Sequence, residues 1–97
     1  MAQITVKMTG ISRGATGATF TWNQQLKSLT DTGGGNLSTA FQSDPGTFLY
    51  AIVVSGNPGD PWTASVTDGT TTHNHAGHMS PAGFDTTGDT AFTVVNP

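Results

Sequence analysis

The chain has 97 residues, a formal net charge of −3 and only 9% charged residues. That length suits one domain spanning residues 1–97 rather than two. Three cations, Lys7, Arg13 and Lys27, are too few for the basic patch that nucleic-acid binding needs. No apolar run approaches the ~20 residues of a membrane span, and the absence of cysteine excludes a disulfide framework or a thiolate metal site.

Leu, Ile, Val and Phe together number 18 of 97, close to the composition of disordered chains. The low charge argues the other way, because it supplies too little repulsion to keep the chain expanded. All six acidic residues are Asp and none is Glu, which favours turns over helices. Abundant threonine favours strands through its branched Cβ.

Taken from the N-terminus, Ile4-Thr5-Val6-Lys7-Met8 alternates apolar and polar residues and predicts a strand with Ile4, Val6 and Met8 inward. A turn-rich connection from Gly10 to Gly17 precedes a second alternating strand, Ala18-Thr19-Phe20-Thr21-Trp22. Trp22, Leu26 and Leu29 fall at helical spacing, so a short helical turn competes with extended chain there. Asp31 to Asn36, with three consecutive glycines, reads as a flexible loop, and Leu37 to Gln42 as a weaker strand. After the turn Asp44-Pro45-Gly46, the run from Thr47 to Ser55 predicts a central strand covered on both faces. Trp62 to Thr67 alternates again, and Asp68-Gly69 predicts a hairpin into Thr70-Thr71-Thr72-His73. A loop from Gly77 to Gly88 leads to a last strand, Ala91 to Val95. Six to eight short strands punctuated in this way predict an all-β fold, a small antiparallel β-sandwich or partly open barrel.

Three constellations are candidates for chemistry. His73, His75 and His78 lie within six residues, and on a strand His73 and His75 share a face while His78 has the opposite parity. Imidazole nitrogens of such a cluster suit Zn, Cu or Fe, with Asp85 or water completing the shell and Met79 adding a soft donor. Over these few residues the pattern is similar to the metal-centred tips of trimeric phage fibres, where several chains supply the histidines around one axis. The alternative is a polar loop that binds nothing. Asp85 and Asp89, separated by Thr86-Thr87-Gly88, are spaced to share Ca²⁺, although turn formation accounts for both.

The third constellation is Asn36, Asn57, Asp60 and Trp62, which resembles the mixture of a flat ring and loop polar groups that binds a sugar. The loop carboxylates Asp85 and Asp89 join Asn57, Asp60 and Trp62 as ligand-binding candidates. Trp62 also fits the inward parity of its strand, where a chain poor in bulky apolar residues needs it. Ser80, His78 and Asp85 supply the letters of a catalytic triad without its spacing, and there is no nucleophile elbow or phosphate-cradling loop.

The sequence therefore points first to a non-enzymatic binding or adhesion module, lectin-like toward glycan and forming homo-oligomers. A histidine metal protein and a structural subunit of a phage or surface assembly are the alternatives. The N-terminus lacks the charged and apolar regions of a signal peptide, which fits a cytoplasmic protein, a non-classically exported one or a re-expressed mature extracellular domain.

Overall fold

Alternation along the strands separates inside from outside throughout the computed structural model, which describes residues 1–95. Along the first strand, Ile4, Val6 and Met8 are buried whereas Gln3, Lys7 and Thr9 are exposed, as a period of two requires. In chain order the elements are β1 (Ala2–Thr9), a 3-10 turn (Gly14–Gly17), β2 (Ala18–Trp22), β3 (Gln25–Lys27), β4 (Thr30–Gly33), β5 (Asn36–Ser43), β6 (Gly46–Ser55), β7 (Pro61–Thr67), β8 (Thr72–His78), β9 (Phe84–Thr86) and β10 (Thr90–Val94).

The first sheet has the order β4-β5-β1-β7-β8. The second has the order β10-β6-β2-β3, with β9 also pairing β6. Every pairing is antiparallel. The inward faces of the two sheets meet in one core that includes Ile4, Val6, Met8, Phe20, Trp22, Tyr50, Ile52, Val54, Trp62, Val66 and Phe92. This is the antiparallel β-sandwich that composition and alternation point to.

One competition between local readings is decided and three local expectations are corrected. Trp22 to Leu29 forms no helix: β2 and β3 are joined by the two-residue turn Asn23-Gln24, with φ of 51° and 66°. Positive φ at both positions gives the turn a twist that matches its strands. The triple-glycine segment is a hairpin rather than an open loop, with Gly33 opposite Asn36 across Gly34-Gly35. The strand expected to be covered on both faces, β6, is covered on one only, since Leu49 and Val53 are 52% and 43% exposed on its outer side. The loop from Gly77 to Gly88 contains β9, bringing the number of strands to ten among the described residues.

β9 and β10 run along the same side of β6 and are separated by Thr87-Gly88-Asp89. Thr87 spans the break: its backbone N–H donates to the Ile52 carbonyl at 3.0 Å, and its hydroxyl accepts the Ile52 N–H at 3.1 Å. Among the described residues no helix is long and apolar enough to cross a membrane.

Candidate functional site

β8 has two chemically different sides, and the positions of the candidate residues follow from that. His73, His75 and Gly77 alternate toward the second sheet, while Asn74, Ala76 and His78 face outward. Tyr50, only 1% exposed, carries its hydroxyl into the seam between β6 and β8. There it lies 2.6 Å from His75 Nε2 and 3.2 Å from His73 Nδ1. A phenol has a single proton to donate, so the shorter contact makes His75 the acceptor and His73 the donor. The His73 ring also packs on Phe92, with centroids 4.6 Å apart.

Burial pushes the Tyr50 phenol up to about 12, which keeps it protonated at neutral pH. Burial, followed by the neighbouring His73, holds His75 below the ordinary histidine range and favours the neutral ring that accepts this hydrogen bond. His73 and His75 thus come together on a buried hydroxyl, while His78 is exposed on the other side of the strand. Among the described residues no three His, Asp or Glu side chains are grouped to hold a metal ion. The partner of the two histidines that sequence reasoning missed is Tyr50, 23 and 25 residues away, reached only through the packing of the two sheets.

The same seam accounts for Trp62 and Asp85. Trp62 is 3% exposed, so its ring offers no face to a sugar. Its indole N–H donates to Asp85 Oδ2 at 2.9 Å, and the other Asp85 oxygen accepts the Thr86 N–H at 2.9 Å. Gly77 makes room for this bond: a Cβ there would lie 2.3 Å from Asp85 Oδ2 and 2.9 Å from Trp62 Nε1. Asn57 and Asp60 sit in the β6–β7 connection, where the Asn57 carbonyl accepts the Asp60 N–H at 3.1 Å. Asp89 is exposed at the break before β10. The five residues therefore do not assemble around a presented ring. Ser80 and Asp85 are also held locally, since the Ser80 hydroxyl accepts the Ala82 N–H at 3.2 Å.

The accessible concave surface lies elsewhere, on the outer face of the first sheet. Strand register places Lys7, Ser65 and Asn74 in one row across β1, β7 and β8, and Thr9, Thr63 and Ala76 in the next. Together they line an open depression of about 500 Å³. A second, of about 310 Å³, lies on the β5 side of β1 and is lined by Thr32, Asn36, Ser38 and again Lys7 and Thr9. Lys7 and Thr9 form the ridge between them. The Thr9 and Thr63 hydroxyls hydrogen-bond each other, whereas Lys7 and Asn74 extend into solvent. The sequence shows that these residues point outward; their alignment across three strands is a product of register.

The comparisons with known proteins found no matching family model, no similar curated protein and no similar solved structure.

Proposed function

We propose that this chain is a non-enzymatic binding module, and that it binds glycan through the outer face of its first sheet. The supporting observation is the pair of depressions flanking Lys7, lined by hydroxyl and amide side chains. Thr9, Thr63, Ser65 and Asn74 provide donors and acceptors at the spacing of neighbouring strands, which suits a ligand rich in hydroxyl groups. Lys7, one of only three cations, adds a point charge in the middle of that face and favours a sugar bearing a single acidic group. The chain's net charge of −3 weighs against an extended polyanion.

This face differs from the loop site that the sequence favours. Asn57, Asp60 and Asp89 remain exposed or half-buried, but Trp62 and Asp85 are bonded to each other in the seam. Recognition on the sheet therefore relies on hydrogen bonds without aromatic stacking, and a single face binds weakly.

The test is a glycan array containing neutral and acidic sugars, followed by calorimetry on the best ligand with the intact chain and with Lys7→Ala. Binding that favours acidic sugars and is lost in the variant supports the reading. Silence across both classes, or binding unchanged in Lys7→Ala, overturns it.

A further inference from the structure

The four edges of the two sheets differ in how they are protected from pairing with another strand. β4 is four residues long, carries Asp31 and shifts register between Asp31 and Gly33. β3 has three residues and ends in Lys27. The β9–β10 edge is broken at Thr87-Gly88-Asp89 and bears two carboxylates, Asp85 and Asp89. Short length, charge and bulges are the devices by which edge strands avoid pairing.

β8 has none of them. It is seven residues long, contains no Pro, Lys, Arg, Asp or Glu, and pairs with β7 in unbroken register from Thr67↔Thr72 to Pro61↔His78. Among the described residues no other strand covers its far side. The Met79 N–H donates to the Asp60 carbonyl at 2.8 Å, and the Thr71 carbonyl accepts the Asp68 N–H at 3.2 Å. Both ends thus turn odd-numbered residues toward β7, and alternation leaves the N–H and C=O of Thr72, Asn74, Ala76 and His78 directed outward.

The geometry points to β8 as the interface of a two-fold symmetric homodimer, in which it pairs antiparallel with β8 of a second copy. One register satisfies every outward group: Thr72 opposite His78 of the second copy, and Asn74 opposite Ala76. That register gives eight backbone hydrogen bonds, one for each outward N–H of the two strands.

The side chains fit the same register. On the inner side His73 falls opposite the second copy's Gly77, and His75 meets its own copy on the axis. On the outer side the small Ala76 falls beside Asn74. The edge carries no Lys, Arg, Asp or Glu, so the like-charge repulsion that would oppose pairing of identical strands is absent. A heterologous strand would not be guaranteed this match, whereas a second copy supplies it by symmetry.

The dimer joins the two first sheets into one ten-stranded sheet. Five strand spacings separate the two Lys7 positions, roughly 24 Å apart. Two weak faces held at a fixed distance on one surface would gain affinity for a repeating ligand by avidity. The dimer itself does not depend on what that face binds.

The experiment is sedimentation or light scattering on the full chain at neutral pH, with Ala76→Pro as the first variant. The wild type is expected at twice the 10.0 kDa of one chain. The Ala76 N–H takes no part in the monomer, so proline there is compatible with an edge strand. It removes two of the dimer's hydrogen bonds and is expected to raise the dissociation constant about thirty-fold, with a native far-UV spectrum.

Register is read independently by cross-linking, since the chain has no cysteine of its own. A mixture of Asn74→Cys and Ala76→Cys chains is expected to form a disulfide-linked dimer on oxidation, while neither variant alone does so. A wild type that stays monomeric at hundreds of micromolar, or cross-linking of each single variant equal to that of the mixture, overturns the proposal. If Ala76→Pro fails to fold, the cross-linking result decides.

Discussion

The inner side of β8 and the outer face of the sheet to which it belongs are both rich in polar groups, yet they use them in opposite ways. Inside, Tyr50 is bonded to His73 and His75, and Trp62 to Asp85. Among the described residues no buried side-chain nitrogen or oxygen lacks a partner. Outside, the Lys7 ammonium and the Asn74 amide meet water. A polar group already paired inside the protein contributes to stability, whereas one left to solvent is available to a ligand. The histidines His73 and His75 are thus bonded within the fold, and the Lys7 row, where glycan binding is proposed, is left open to solvent.

The distinction predicts a graded series. Gly77→Ala should have the largest effect on stability, about 2 kcal/mol or more, because its methyl group would collide with Asp85 and the Trp62 indole. Thermal unfolding would show the loss, and tryptophan fluorescence would report the displaced indole. Tyr50→Phe should cost about 1 kcal/mol, since it removes a hydroxyl that both histidines use, and denaturant titration measures it. A variant more stable than wild type would show that the seam tolerates apolar packing better than this network.

Acid should act on the same seam. The folded-state pKa of His75 is lowered, so the unfolded chain takes up its proton more readily. The contribution of neutral His75 is therefore complete above the unfolded value of about 6.5 and is lost as pH falls below it, down to the folded pKa. Melting temperatures measured from pH 8 to pH 5 should decline over that interval. His75→Gln, which cannot be protonated there, should flatten the decline.

Part of this arrangement is legible in the chain itself. Alternation marks β1, β2, β7 and β10, and parity separates His78 from His73 and His75. β3 and β9, at three residues each, are too short to show a period and exist because β2 and β6 offer them partners. The turn at Asn23-Gln24 lacks the glycine that commonly marks such hairpins, which is why helical spacing from Trp22 to Leu29 competes with it. Trp62 has the parity of a core residue, but its bond to Asp85 depends on contact between different sheets, as does the Tyr50 bond to the histidines. The Lys7 row is hidden for a related reason: it is built from register across β1, β7 and β8, and no local spacing encodes it.

The smallest expected effect on stability belongs to the outer face, where Lys7→Ala should change the unfolding free energy by no more than about 0.5 kcal/mol. Acidic-glycan binding and thermal unfolding measured together on that one variant separate the proposed binding face from the fold. Lost binding with an unchanged melting temperature is the expected result. Retained binding in a Lys7→Ala protein of native stability would contradict it.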